Sequence, residues 1–184
     1  TKDCPNLLRQ IDSFYKSKKR QTTIYITPFT RPTTLRHSLG VVQPPSFRTA
    51  WMFYQGSEPN ILFPSGFVIK EVRTKKELQT FVDVFNQSYS GATPDEPYGA
   101  LPKEYGTALL HSKKFHHYIG YFNNQPVAIG SLIYSKGFAG LYNLGVSPNH
   151  RKHGFGKLMS LFRVAEAIKK KNKIIFLQTE KDSV

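Results

Sequence analysis

Residues 140–178 narrow the possible folds more than any other stretch. An apolar run, Gly140-Leu141-Tyr142-Asn143-Leu144-Gly145-Val146, leads into a glycine-bearing basic loop, and a second apolar run follows at Ile174–Gln178. Between them Phe155, Leu158, Met159, Phe162, Ala165 and Ile168 recur at helical spacing, which predicts one buried stripe on a helix running to about Lys171. Strand, helix and strand in that order predict a right-handed crossover between two parallel strands. Such a unit belongs to an α/β protein, because the crossover helix must cover a face of the sheet.

The preceding residues extend that sheet. Phe67–Val72 reads as a strand, and Thr74-Lys75-Lys76-Glu77 is a capping box in which hydroxyl and carboxylate satisfy orphan helix amides. Leu78, Phe81, Val82, Phe85 and Tyr89 then predict a helix. A loop containing Pro94, Asp95, Glu96 and Pro97 leads to a second helix expected over Leu101–Lys114. Strands at Phe115–Phe122 and Val127–Ser135 flank a short hairpin connection, Asn123-Asn124-Gln125. The order βααβββαβ predicts an α/β fold with a mixed central sheet and helices on both faces.

The two ends of the chain resemble each other. LLRQIDSFYKSKKRQTTIYI at 7–26 aligns with LMSLFRVAEAIKKKNKIIFL at 158–177, an offset of 158 − 7 = 151. Each is an amphipathic segment, a Lys-rich helix end and a β-branched run, the pattern of a duplicated unit. Residues 32–39 suggest a short helix. In Phe47–Tyr54, Phe47, Thr49, Trp51 and Phe53 alternate with Arg48, Ala50, Met52 and Tyr54, a strand expected to bury the first set near the contact between units. Trp51 is expected in the core of the first unit. Gly56, Pro59, Pro64 and Gly66 mark a linker. The expected organisation is therefore a partial, degenerate unit at 1–56, a linker at 57–66 and a second unit at 67–184. The two units are expected to pack together.

Composition limits the partners. The formal charge is +14 from 26 Lys and Arg against 12 Asp and Glu, which favours acidic ligands. The charge is dispersed: residues 1–60 carry nine basic and three acidic side chains, and residues 61–184 carry seventeen and nine. The one dense run, Lys169-Lys170-Lys171-Asn172-Lys173, closes a predicted helix, where cations complement the macrodipole. Dispersed charge and few exposed aromatic clusters argue against nucleic-acid binding. A single cysteine, Cys4, excludes an internal disulfide framework and suits a reducing compartment. No apolar stretch reaches the ~18 residues of a membrane helix, so the cytoplasm is the expected location.

The loop itself, VSPNHRKHGFGKLM at 146–159, is built to hold an anion. The helix after it starts near Gly154–Lys157, where free amides and the positive dipole end face outward. Gly154 and Gly156 let backbone approach a ligand closely, and Arg151, Lys152, His153 and Lys157 add charge. Alternatively, Gly154 merely shapes the helix start. A Walker A loop requires glycine where Arg151 stands and Ser or Thr where Leu158 stands. The dinucleotide fingerprint requires a third glycine at Met159. What remains is Arg151-x-x-Gly154-x-Gly156.

That pattern, within LGVSPNHRKHGFGKLM and with Val146 and Pro148 in place, resembles the strand-to-helix junction of the GNAT N-acetyltransferase superfamily. The element order agrees over residues 67–184, and residues 7–54 look like the back portion of a preceding domain of the same kind. The resemblance implies acetyl-CoA as acyl donor, with pyrophosphate on the amides of Arg151–Gly156, a stretch that includes Phe155. Pantetheine would lie strand-like along Leu144, Gly145 and Val146. The strands at 140–146 and 174–178 are expected to part to admit it. Gly145 allows either a bulge or close approach of the ligand, or a tight contact with the helix beneath.

The resemblance implies less about catalysis. The strand offers Tyr142 and Asn143 but no carboxylate, and the tyrosine acid of family members lies on a helix expected beyond Val184. Tyr89, Asp95, Glu96 and Tyr142 are the acceptor-side candidates, with Tyr98 near them; Asp95 and Glu96 read more simply as solvated turn carboxylates. His116-His117 places one imidazole inward and one outward. His150 and His153 lack a third metal ligand nearby, so no metal is expected. The expected activity is N-acetyl transfer from acetyl-CoA to an unidentified amine by direct attack. The alternatives are a non-catalytic acyl-CoA sensor or scaffold and, with less support, a nucleic-acid binder.

Overall fold

The computed structural model describes residues 4–19, 31, 35, 49–89, 110 and 112–180. The chain divides into two compact units, residues 1–48 and 49–184. In the first, helix α1 spans Cys4–Ser17. Lys16 pairs with Asp12 at 2.7 Å across one turn, and Ser17 Oγ donates to the Phe14 carbonyl near its end. The strand expected at 24–26 falls outside the described residues, as does most of the short helix expected at 32–39.

The second unit is built on β1 (Thr49–Tyr54), β2 (Phe67–Glu71), α2 (Lys75–Tyr89), β3 (Phe115–Phe122), β4 (Gln125–Ser135), β5 (Phe138–Val146), α3 (Phe155–Lys169) and β6 (Ile174–Glu180). The six strands form one sheet in the order β1-β6-β5-β4-β3-β2. All neighbours are antiparallel except β5 and β6, the parallel pair joined through α3. The sheet is mixed, as expected.

Local chemistry sets the element ends. Thr74 Oγ1 accepts from Glu77 N–H at 3.2 Å while Glu77 Oε2 accepts from Thr74 N–H at 3.0 Å, the reciprocal capping box that starts α2. Asn123 and Asn124 have φ of 48° and 64°, and Phe122 pairs with Gln125. The hairpin turn is therefore two residues long, not three, with the left-handed pair that matches strand twist. The second helix expected at 101–114 lies mostly outside the described residues, and Lys113 and Lys114 are not helical. No helix among the described residues is long and apolar enough to cross a membrane.

Helices α2 and α3 pack on opposite faces of the sheet, as the period-two alternation of β4 demonstrates. Ile129 clusters with Leu78, Phe81, Val84 and Phe85 of α2. A Cβ added at the next residue, Gly130, would lie within 3.0 Å of Arg163 on α3. On the α3 face, Phe155 stacks on Phe67 at 4.8 Å and joins Met159, Val164 and Ala167 against Ala128, Leu132, Ala139 and Leu141.

The first strand corrects two expectations. Thr49–Tyr54 pairs with β6 throughout, so it belongs to the sheet of the second unit, and the boundary falls at 48/49 rather than after 56. Trp51 and Phe53 are also not core residues: they are 49% and 59% exposed, with Met52 at 51%. The strand lies at the edge of the sheet order, while the helices pack chiefly on β3, β4 and β5. Trp51 and Phe53 are left outside both core clusters, while Tyr54 of the same strand packs against one of them. Trp51 instead stacks on Phe176 at 5.2 Å, and Phe53 and Tyr142 contact the same ring. An exposed aromatic cluster is thus present where few were expected.

Candidate functional site

The site forms at the end of β5. Its register with β6 runs from Phe138↔Ile174 to Leu141↔Leu177 and stops, although β5 continues to Val146 and β6 to Glu180. Two parallel strands that run on without pairing leave backbone groups facing a cleft between them. A bulge accompanies the parting. Ile129 opposes Gly145 and Ser131 opposes Tyr142, so β5 carries one residue more than β4, and Asn143 takes a left-handed φ of 53°.

Beyond β5 the chain folds back tightly. Ser147 N–H donates to the Val127 carbonyl, and the short turn Pro148–His150 follows, with Ser147 Oγ and His150 Nδ1 3.0 Å apart. Arg151 Nη2 donates to the Ser88 carbonyl at 2.8 Å and Nε to the Val146 carbonyl at 3.4 Å. Arg151 therefore ties the loop to the end of α2 and to β5. His153 Nδ1–H donates to the Arg151 carbonyl at 2.8 Å. Lys152, with φ of 64°, and Lys157 are exposed.

Gly154 occupies the N-cap with φ 82° and ψ −2°, and a Cβ there would meet nothing within 4 Å. The position is both open and left-handed, which glycine accepts without strain. The first intrahelical bond runs from Leu158 N–H to Gly154 C=O, so the amides of Phe155, Gly156 and Lys157 have no intrahelical acceptor. Phe155 is buried and anchors this turn. At Gly156 an added Cβ would sit 3.5 Å from Val146, an ordinary contact.

Other candidate residues take defined places. Leu144 is exposed, and its carbonyl accepts from Tyr89 Oη at 2.7 Å, so Tyr89 reaches the strand expected to carry the cofactor. Tyr142 stands at the split, half-buried, with burial raising its phenol pKa. Gly145 faces α2: an added Cβ would lie 2.8 Å from both Cβ and Oγ of Ser88 and 3.1 Å from Ile129. That supports the close contact with the helix beneath. Gly145→Ala is expected to destabilise the fold by about 1–3 kcal/mol through overpacking, measured by urea unfolding; an unchanged midpoint would contradict that contact. Asp95, Glu96 and Tyr98 lie outside the described residues.

Two polar residues not singled out from the sequence, Arg163 and Ser131, lie beside the bulge with Asn143 and His117, which were. Arg163 is 1% exposed, and its Nη1 donates to the carbonyls of Ser131 at 2.9 Å and Tyr142 at 2.8 Å. Burial pulls its pKa down to about 10. On the opposite face Asn143 Nδ2 donates to Ser131 Oγ at 3.1 Å, which lies 2.8 Å from Nδ1 of buried His117. His117 packs on Phe81 at 4.9 Å, and its Nε2 has no partner among the described residues. Desolvation, with His116 adding charge nearby, lowers its pKa to about 4. His116 instead pairs with Glu71. The signal for Arg163 was present: it continues the i, i+4 row of Phe155 and Met159 towards Ala167.

A family model described as "Acetyltransferase (GNAT) family" matches residues 78–184, more than half of the chain. The chain belongs to that family. No curated protein matches this GNAT chain in sequence. Among solved structures it is similar to a GCN5-related N-acetyltransferase from Kribbella flavida, with a TM-score of 0.59 and 16% identity over 95% of this chain. This GNAT chain spans 65% of that protein's length. A predicted acetyltransferase from Clostridium acetobutylicum, solved with acetyl-CoA, has a TM-score of 0.53 and 17% identity over 62% of this chain and 82% of its own. The PaiA N-acetyltransferase from Thermoplasma acidophilum, in complex with coenzyme A, has a TM-score of 0.53 and 16% identity, covering 62% and 81%. At such identities the likeness shows the GNAT fold.

Proposed function

We propose that the protein moves the acetyl group of acetyl-CoA to an amine by direct attack within a ternary complex. One observation carries this reading: where β5 and β6 stop pairing, the chain turns into an open, left-handed Gly154 at the start of α3. The residues present fit the cofactor. The amides of Phe155–Lys157 and the helix dipole suit a pyrophosphate, with Lys152, His153 and Lys157 adding positive charge. Leu144–Val146, which β6 leaves without a strand partner on that side, suit the amides of a pantetheine arm.

Bound acetyl-CoA supplies an activated thioester, and the chain's own contribution is holding and orienting. β5 bears Tyr142 and Asn143 at the split and no carboxylate, so no described residue is assigned as general base. The acceptor reaches the α2 face, where Tyr142, Phe176 and Trp51 offer aromatic surface to the apolar part of an amine. Tyr89 positions Leu144, and Asp95 and Glu96 remain the carboxylates proposed to receive the cation. The single cysteine supports a reducing location such as the cytoplasm.

Residues 1–48 are taken as the back portion of a degenerate preceding unit. Helix α1 ends at Ser17 and α3 at Lys169, and 169 − 17 = 152 lies within one residue of the offset of the sequence repeat. The test of activity is release of free CoA thiol from acetyl-CoA on adding a panel of primary amines. Amine-dependent thiol release is expected. Tight acetyl-CoA binding with no release for any amine would favour the sensor reading.

A further inference from the structure

Ser131 lies at the centre of a two-sided clamp on the bulge of β5. From the α3 face, one nitrogen of Arg163 donates to the Ser131 carbonyl and to the Tyr142 carbonyl, bridging β4 and β5 where their register shifts. From the α2 face, Asn143 and His117 share the Ser131 hydroxyl. Tyr89 holds the Leu144 carbonyl. The carbonyls of Tyr142 and Leu144 are thus both occupied, which fixes the peptide plane entering the left-handed Asn143 and the plane that follows Leu144.

Packing alone gives no reason for this arrangement. Arg163 is buried on a helix stripe with Phe155, Met159 and Ala167, where an apolar side chain would ordinarily be at least as stabilising. Its hydrogen bonds go to Met159, Ser131, Tyr142 and Ser160, none of them a carboxylate. Gly130 leaves the space for it, since an added Cβ would press on Nε, Cζ and Cδ at 2.8–3.0 Å. What the guanidinium supplies is a pair of donors to two strands at the point where β5 leaves β6.

We infer that Arg163, Ser131 and His117 are positioning residues: through the backbone of Tyr142–Leu144 they hold the part of the cleft that receives the pantetheine and acyl end of the cofactor. This rests on the acetyl-CoA reading above. Arg163, Ser131 and His117 make no hydrogen bond to Arg151–Lys157, so their loss separates the two ends of the ligand. A residue that only stabilised the fold would affect both ends alike.

The test compares acetyl-CoA with ADP, which carries the pyrophosphate but no pantetheine, by calorimetry on the whole chain and on Arg163→Met, Arg163→Lys and Ser131→Ala. Folding of each variant is checked by circular dichroism. Arg163→Met is expected to weaken acetyl-CoA by about tenfold or more, the scale of lost bonds to a charged donor, with ADP unchanged. Arg163→Lys and Ser131→Ala are expected to show the same selective loss at smaller size. Equal loss of both ligands, or loss of neither, in a folded variant overturns the inference. If Arg163→Met does not fold, the other two variants decide by the same ratio. An unmodified protein that binds ADP but not acetyl-CoA overturns the cofactor reading itself.

Discussion

Gly154→Asp is expected to weaken acetyl-CoA binding by about a hundredfold, near 2.7 kcal/mol, in a protein that still folds. The new Cβ meets no atom within 4 Å, so there is no clash. Aspartate tolerates the left-handed region better than most residues, and the strain is roughly 1 kcal/mol. It gains little as a helix cap, because capping side chains act from extended backbone and residue 154 sits at φ 82°. The ligand meets a larger obstacle. A carboxylate about 4 Å from one phosphate charge costs about 4 kcal/mol at an effective dielectric of 20, before salt screening. Arg151→Ala should do less harm to the ligand, since Arg151 is engaged with the Ser88 and Val146 carbonyls and the helix amides stay in place. Calorimetry on both variants checks the order; full-strength binding by folded Gly154→Asp would remove this loop from the cofactor site.

The second large effect is on stability against pH. His117 is held neutral in the fold down to about pH 4, chiefly by desolvation, against an ordinary value of 6.5. Between those values the unfolded chain binds the extra proton, so unfolding free energy rises with pH. The contribution is complete above 6.5 and is lost as pH falls through about 4. At 1.36 kcal/mol per unit its upper bound is about 3 kcal/mol. Glu71 is also held below its usual range: burial works upward, but hydrogen bonds from His116 and Arg73 prevail. Its slope enters only below 4.5. Urea unfolding from pH 4 to 7 should show the rise, and His117→Gln should flatten it above pH 4.5. A parallel slope in the variant would assign the effect elsewhere.

The crossover, the loop and the capping box were legible because each rests on a local pattern with a direct physical cause. Hydrophobic spacing marks α3, and Thr74 with Glu77 marks the start of α2. The bulge was legible only as one possibility at Gly145; its place at Asn143–Leu144 was not, since a period of two reads Gly140–Val146 as a straight strand. Nothing local distinguishes Asn143 at φ 53° from an asparagine in extended backbone. The residue type of Arg163 suggests exposure, although its row on the helix is apolar. β1 was assigned to the wrong unit because its partner, β6, lies more than a hundred residues away, and Pro and Gly composition marks flexible chain rather than sheet membership. Its alternation was real, but α2 and α3 pack chiefly on β3, β4 and β5, away from this edge.

The central claim is that the cleft between β5 and β6 and the turn at Gly154 together hold one acetyl-CoA. Calorimetric titration of acetyl-CoA into the folded, unmodified protein, repeated with excess ADP present, tests it most directly. The expected result is a saturable one-to-one isotherm that ADP weakens by competing for the turn. An absence of binding up to about a millimolar, the range of a Kd near −4 kcal/mol, or binding that ADP leaves untouched, would contradict it.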